Sequence, residues 1–392
     1  MKKSYVYIDP QSYQNLAIYD YSLLSNIDGY IHYVCSELYN YKPLPTNVRQ
    51  HPIFRYSKYQ SRVIKAVSYI LSWIMLLIKL SWWHPSVVHI QWFRIPHFDY
   101  FMVRLLQCVF KIKVVYTAHN ILPHQGNENK NTDVFCKAYH TFDSIIVHSL
   151  ITKSEIVKTF NVDSNKIEVI RHGILPFDIS DEQYNACLPE LDEKYASLRG
   201  KTVFSALGFQ NFYKGTDLLA RVWAETPELR DNKEAMLLII GKVNAADMDL
   251  SMLEGINNVI FDNRRIPDEE FVYLLRHTNV YLLPYREISQ SGAMLTVLTE
   301  HIPLLVTDVG ALAEPLSIAH IGWKMQRADE QVLRKALLHL LAHQDEIKAI
   351  RNDHQSWEKV CSFYNWQDIS KKTQLLYESL RQSTLCREAG GD

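Results

Sequence analysis

The sequence predicts an α/β protein built from two parallel-sheet domains. Nearly continuous apolar runs of strand length alternate with amphipathic segments of helical period along most of the chain. This is the pattern of strands covered on both faces by helices. The chain has 392 residues, and at roughly 150 residues per domain that is room for two. The alternation breaks once, at PFDISDEQYNACLPELDEKYASLRGK (176–201), a polar stretch with two prolines that reads as the connection between them.

In chain order, the strand candidates of the first half are YVYI (5–8), VVHIQW (87–92), KVVYTAH (113–119), SIIVHS (144–149) and KIEVIRHG (166–173). Those of the second half are TVFSALGF (202–209), AMLLIIGK (235–242), NVIFD (258–262), VYLLPY (280–285) and PLLVTDVG (303–310). Helices with one apolar face lie between them, among them Asp217–Glu225, Asp268–His277 and Asp329–His343. A last amphipathic segment, Trp357–Leu380, is placed to pack back across the junction. The expected organisation is a first domain over 1–175, a linker over 176–200, a second domain over 201–355 and a closing helix over 356–392.

Apolar residues make up 47% and charged residues 22% of the chain, which fits a globular protein and excludes disordered, collagen-like and multi-span membrane classes. Six scattered cysteines form no CxxC pair, so zinc ribbons and redox motifs are not expected, and the usage suits a reducing cytoplasm. No apolar run of signal-peptide length follows the lysines of MKKSYVYIDPQSYQ. The net charge of −1 hides an asymmetry. Residues 1–175 hold 19 Lys and Arg against 11 Asp and Glu, and the remainder holds 23 against 32. Between Lys42 and Lys113 there are 11 basic residues and a single acid, Asp99. The first domain is therefore expected to face an anionic surface or partner. No nucleic-acid motif accompanies the charge.

Residues 64–83, IKAVSYILSWIMLLIKLSWW, are the most apolar part of the chain. Lys65 and Lys79 interrupt the run, and Ala66 to Ile78 is 13 residues, short of the roughly 20 that a span needs. Three readings stand: a buried core helix, an interfacial helix, and a true span. The tryptophans Trp73, Trp82 and Trp83, with Arg55, Lys58, Arg62 and Lys65 nearby, are what a bilayer surface favours.

Three segments have the residue types of a ligand site. In GFQNFYKGTDLL (208–219), Gly208 lets the chain leave a strand tightly. Lys214-Gly215 then sets a cation and a flexible backbone at a helix start, a suitable place for a phosphate. The lysine precedes its glycine, so this is not a P-loop, and a surface turn with a solvated lysine is the plainer alternative. In PYREISQSGAML (284–295), Ser291-Gly292 sits where a helix begins, and Ser291 could serve simply as its cap. The next strand ends in DVGAL, a second turn of the kind that binds ligands outside strand C-termini. In YTAHNILPH (116–124), His119 lies just past a strand end with Asn120 and His124 close behind. His89, inside its apolar run, reads as a core residue. Ser12–Asn15, containing Tyr13 and Asn15, lies at the end of the first strand and is a further ligand-loop candidate. No H-E-x-x-H, nucleophile elbow or paired-cysteine metal site occurs, and no GxGxxG follows the first strand.

In this order the segments VVHIQW, YTAHNILPH, DSIIVHS with KSEIVKTF, KIEVIRHG, GFQNFYKGTDLL, IPDEEFVYLLRHTNVYLLPY and QSGAMLTVL…PLLVTDVGALAE resemble the GT-B glycosyltransferases. Among those, they are most similar to the family-four-like bacterial polysaccharide and glycolipid enzymes. The resemblance covers residues 85 to 375 and includes the closing FYNWQDISKKTQLLYESL. It implies two Rossmann-like domains facing across a cleft, with the last helix returning to the first domain. The second domain would bind a nucleotide-diphosphate sugar and the first would hold the acceptor. On the donor side it implies Gly208, Lys214, Gly215, Arg265, Ile266, Tyr285, Gln290, Ser291 and Gly292. Lys214 and the Ser291-Gly292 helix start would contact the diphosphate, and the backbone at Arg265-Ile266 the base. His119 matches the histidine that contacts the transferred sugar, and Tyr13, Asn15, Asn120 and His124 fall on the acceptor side. No metal or other cofactor is expected, because fixed cations and helix dipoles take on the leaving-group charge.

The chain departs from the family pattern in two places. Phe209 stands where an arginine usually precedes the KG lysine. The usual glutamate pair falls at Ile288 and Thr296, which leaves Glu287 as the nearest substitute for the first, and Glu300 is too close to Pro303 to be the second. An inverting reaction would need a general base, for which Asp9, Asp20, His119 and His124 are candidates. The expected function is transfer of a sugar from a UDP- or GDP-linked donor to a glycan acceptor, lipid-linked, in surface polysaccharide or glycolipid synthesis. The expected location is the cytoplasm, at the inner face of the membrane, in peripheral contact with anionic lipid. The alternatives are an inactive nucleotide- or sugar-binding protein on the same fold, a sugar epimerase, for which no acid–base carboxylate pair is found, and a glycan phosphorylase.

Overall fold

A computed structural model describes residues 4–13, 15–122, 128–244 and 248–389. The chain divides into two compact units: Met1–Gly173 with Asn365–Asp392, and Ile174–Tyr364. Each is built on its own parallel sheet.

The first sheet has seven strands: β1 Ser4–Asp9, β2 Tyr30–Ser36, β3 Val48–Phe54, β4 Val87–Ile90, β5 Lys113–Thr117, β6 Ser144–Val147 and β7 Ile167–Val169, in the order β3-β2-β1-β4-β5-β6-β7. The second has six: β8 Thr202–Leu207, β9 Ala235–Ile240, β10 Val259–Asp262, β11 Val280–Leu283, β12 Leu304–Thr307 and β13 Gly322–Met325, in the order β10-β9-β8-β11-β12-β13. Both are Rossmann-like. In each, the strand order reverses once, between β1 and β4 and between β8 and β11, and loops leaving those neighbouring strands part in opposite directions to open a crevice.

The central strands are buried along their whole length, so both faces are covered. In the first unit, one face packs against helices Arg62–Trp83, Pro96–Cys108, Glu128–Thr141 and Leu150–Phe160. The other face packs against Asn15–Leu24 and the last helix, Trp366–Ala389. That last helix is seated by Ile369 and Tyr377, by the Ser370 hydroxyl donating to Leu23 O (2.8 Å), and by the Tyr377 hydroxyl meeting His89 Nδ1 at 2.5 Å.

The structure differs from the sequence reading at several points. The stretch 176–200 is not a linker. It contains helix Asp181–Lys194, opened by a Ser180–Gln183 capping box, and Leu191, Tyr195 and Leu198 are buried in the second unit's core. The closing segment is two helices rather than one. His354–Phe363 belongs to the second unit, where Trp357 and Val360 are buried, and the chain crosses to the first unit only after Tyr364. Strands β2, β3 and β13 were not expected. β3 carries Arg49, Gln50, His51 and Pro52, and β13 carries Lys324. Both are sheet edges, where apolar continuity is not required and proline is tolerated.

Because Tyr377 is 2% exposed and fills the layer under β4, Tyr377→Ala should lower the unfolding free energy of the first unit by about 3–5 kcal/mol. Urea denaturation followed by tryptophan fluorescence would measure it. Loss of less than about 1 kcal/mol would show that the last helix is not part of that core.

Candidate nucleotide-sugar site

In the second unit the chain leaves β8 through Gly208 and folds residues Phe212–Lys214 into a single 3₁₀ turn. It then starts helix Thr216–Glu225 from Gly215. Gly215 has φ +69°, and a Cβ there would fall on the Pro284 carbonyl oxygen at the end of β11. Only glycine lets the two strand exits come this close. Gln210 holds the turn from inside: its amide nitrogen donates to Ala206 O (3.0 Å) and Gly208 O (2.9 Å), and its oxygen accepts from the Thr216 hydroxyl (2.6 Å). From the other loop, Arg286 grips the same turn. It makes a bidentate pair with Asp217 (2.7 and 2.8 Å), donates to Phe212 O (2.5 Å) and lies 3.9 Å above the Phe212 ring.

Lys214 lies in this frame, in a small cavity at the β8–β11 crevice lined also by Gln210, Thr216, Tyr281 and Tyr285. Its ammonium is 5.8 Å from the Tyr285 ring centroid, and among the described residues no carboxylate forms an ion pair with it. Desolvation alone lowers its pKa to about 8. A half-buried cation with no acid beside it among the described residues, at the positive end of a helix, is a suitable place for an anion. Two buried acceptors in the flanking loops, Asn211 Oδ1 and Gln290 Oε1, have no hydrogen-bond partner among the described residues.

The other donor-side residues are placed as follows. Ser291 is buried and caps helix Gly292–Val297, its hydroxyl accepting from Met294 N (3.3 Å), so the plainer capping reading is realised. Tyr285 is buried between Tyr213 and Lys214, and burial drives its pKa strongly upward. Arg265 is exposed and Ile266 is buried, in the turn between β10 and helix Asp268–Arg276. The neighbouring Arg264 is structural and clasps Glu270 (2.7 Å) and Asp262. Glu287 is exposed on the loop after β11. Gly310, in the DVGAL turn, has φ +51° and lies against Ile288 O, so this turn is pressed onto the same loop.

In the first unit, His119 follows β5, is half-buried, and is held by neighbouring rings and polar groups. Trp92 stacks on it (4.5 Å, 10°) and Tyr19 meets it edge-on (5.1 Å). Its Nε2 is 2.8 Å from the Gln91 amide and its Nδ1 is 3.2 Å from His148 Nε2. His148 Nδ1 is 2.9 Å from the Ile170 carbonyl, which can only accept, and this fixes the tautomers. His148 donates from Nδ1, so its Nε2 accepts from His119 Nδ1–H, and His119 Nε2 is then an acceptor. The Gln91 amide, whose two ends are interchangeable in shape, is assigned with its nitrogen toward His119 and its oxygen toward His89 (2.9 Å). Burial, reinforced by neighbouring rings, holds all of these histidines below the usual range: His148 at about 4, His89 at about 3, His172 at about 3, and His119 well down. His119 is therefore a neutral ring with both nitrogens engaged, which does not suit a general base. His89 is buried, in line with its core reading.

Asp20 is also unsuited to that role. It is fully buried and accepts from the hydroxyls of Tyr7 and Tyr33 (2.6 Å each). Burial raises its pKa to about 6, and burial together with the Asp20 charge raises that of Asp9 strongly. Tyr13 lies half-buried after β1, Asn15 opens helix Asn15–Leu24, and Asn120 is half-buried beside His119. His124 lies outside the described residues. Sequence reasoning missed Gln91 and His148, although each is a polar residue just past an apolar strand, the same signal that singled out His119.

Two Rossmann-like units, with a cationic turn at the switch point of the second, define the GT-B class. The chain is a glycosyltransferase: residues 29–176 match Glycosyltransferase Family 4, and residues 201–343 match Glycosyl transferases group 1. Among solved structures it resembles a sucrose-phosphate synthase from Thermosynechococcus elongatus at TM-score 0.71, 14% identity, and 97% and 100% coverage of the two chains. It also resembles HepE from Anabaena in complex with UDP (0.66, 11%, 97% and 100%) and WaaG, a glycosyltransferase involved in lipopolysaccharide biosynthesis (0.64, 13%, 95% and 99%). No curated protein matches the chain in sequence.

The Lys214 pKa sets a pH test. Its amine is charged below about 8 and neutral above, so affinity for an anionic ligand should be full at pH 7 and fall, by up to about tenfold per unit, as pH rises past 8. Titrating UDP at pH 7, 8, 9 and 9.5 measures this, and a flat profile would show that no amine of this pKa meets the ligand.

Proposed function

We propose that the protein transfers a sugar, glucose or a close relative, from a UDP-linked donor to a glycan acceptor. The observation that carries this is the half-buried Lys214 ammonium at the β8–β11 crevice, which pairs with no acid among the described residues. There the donor diphosphate would complete the charge pairing and its developing negative charge would be stabilised as the bond to the sugar breaks. Asn211 Oδ1 and Gln290 Oε1 would accept from hydroxyls of the donor. The UDP base is favoured over other bases because HepE structures hold UDP and UDP-glucose, and a trehalose-6-phosphate enzyme from E. coli holds UDP-2-fluoro glucose. His119 would present its fixed, neutral ring to the transferred sugar. No metal is required in this scheme, because the lysine and the helix start supply the positive charge.

The acceptor would be a lipid-linked glycan of a surface polysaccharide or glycolipid, reached in peripheral contact with the cytoplasmic face of the membrane. The basic balance of residues 42–113 and an exposed apolar helix face support this, as does the likeness in fold to WaaG.

Thermal shift with UDP, GDP, ADP and CMP tests the donor: UDP should raise the melting temperature most, since a ligand of the folded state stabilises it. Lys214→Ala should weaken UDP binding by about 1–3 kcal/mol. His119→Ala should lower turnover of UDP-glucose at least about tenfold while UDP affinity stays within about twofold. Binding without any donor hydrolysis or transfer would favour an inactive binding protein instead.

A further inference from the structure

Helix Arg62–Trp83 has two apolar faces. One carries Tyr69, Ser72, Trp73, Leu76 and Leu80 into the core under the first sheet. The Tyr69 hydroxyl donates to Asp99 (2.7 Å) and that of Ser72 to Ile53 O (3.0 Å), so this face is fastened to the unit. The opposite face carries Val63, Val67, Leu71, Ile74, Ile78 and Trp82, with Ile64 and Met75 beside them, all exposed; Val63 is 72% and Trp82 78% accessible. At 100° per residue these side chains fill an arc of ~120° centred opposite the buried one. The stripe runs the length of a 22-residue helix, ~33 Å. Scattered apolar surface residues need no explanation, but a continuous stripe of this size does.

We propose that this face is a docking surface for an anionic lipid bilayer, on which the helix lies in the membrane plane. This deepens the membrane contact proposed above and rests on it. Charge selects the occupant. Asp99, the only acid between residues 42 and 113, is buried, while Lys79 is half-buried at one edge of the stripe and Arg104 is exposed. Arg104 and the exposed Phe101 belong to the neighbouring helix Pro96–Cys108, which Asp99 ties to Tyr69. An apolar stripe with a lysine at its edge, set in a basic stretch of chain and ending in an exposed tryptophan, matches acyl chains beneath anionic headgroups. A second copy meeting the same face would bring the same cations against themselves. The helix is long and apolar enough to cross a membrane, yet crossing would tear its fastened face from the core, so it lies flat. Arg55 and Lys58, expected in this contact from the sequence, are instead drawn toward Glu37 (3.8 and 3.9 Å).

The test is co-sedimentation of the full chain with vesicles of phosphatidylcholine and phosphatidylglycerol in equal parts, and with phosphatidylcholine alone. The wild type should pellet with the mixed vesicles and bind the neutral ones at least tenfold more weakly (~ value). The triple variant Leu71→Ser, Ile74→Ser, Ile78→Ser should lose at least about tenfold of the mixed-vesicle binding while keeping its melting temperature and UDP affinity, because these side chains face outward. Lys79→Glu with Arg104→Glu should lose binding without touching the stripe. Equal pelleting of wild type and triple variant would overturn the proposal. So would a dimer in light scattering that the triple variant splits while neither protein binds vesicles. Loss of docking with UDP-glucose turnover intact would remove this inference alone, whereas intact docking without UDP binding would remove the functional reading instead.

Discussion

Lys214 is partly shielded from water by a turn that offers it an aromatic ring and, among the described residues, no carboxylate. Much of the second unit's local architecture follows from holding that turn in place. Gly215 must be glycine because the Pro284 carbonyl lies where a Cβ would be. Gln210 spends its amide on the turn's own backbone and on Thr216, and Arg286 binds the turn through a carboxylate, a carbonyl and a ring at once. These contacts join the exits of β8 and β11, the one place in this sheet where neighbouring loops diverge and leave room for a ligand. A desolvated ammonium is unfavourable until an anion arrives, so the site stores a charge imbalance that binding relieves.

The first unit settles its polar groups differently. Its strand exits carry Gln91, His119 and His148, and with His89 these form a chain running from the Ile170 carbonyl to the Tyr377 hydroxyl. Burial keeps each ring neutral, and it raises the Asp20 carboxyl to about 6 while the Tyr33 and Tyr7 hydroxyls, which donate to it, pull the other way. The result is a buried cluster of neutral rings whose nitrogens are already paired. Tyr377 comes from the last helix, so the chain's return to the first unit also completes this network.

The sheets were legible because their central strands are apolar along their whole length, and the exits because a polar residue follows each run. His119 was found by that rule, which applies equally to Gln91 and His148; Lys214 was found instead by its place with Gly215 at a helix start. What stayed hidden has physical reasons. Edge strands β3 and β13 carry charge and proline because one side needs no partner strand. Helix Asp181–Lys194 buries chiefly Leu191, too little to mark it in a polar stretch. The Arg286–Asp217 clamp joins residues 69 apart in sequence, and no local pattern announces it. The apolar segment 64–83 could not be assigned to core or surface from composition, since it is both, on opposite faces of one helix.

If the Lys214 ammonium receives the diphosphate, binding must raise its pKa, and the protein must take up protons when UDP binds near pH 8 to 8.5. Calorimetry of UDP binding in two buffers of different ionisation enthalpy counts those protons. The account predicts a fractional uptake in the wild type, close to half a proton near the amine's own pKa (~ value), that vanishes in Lys214→Met. No uptake in the wild type, or the same uptake in Lys214→Met, would contradict it.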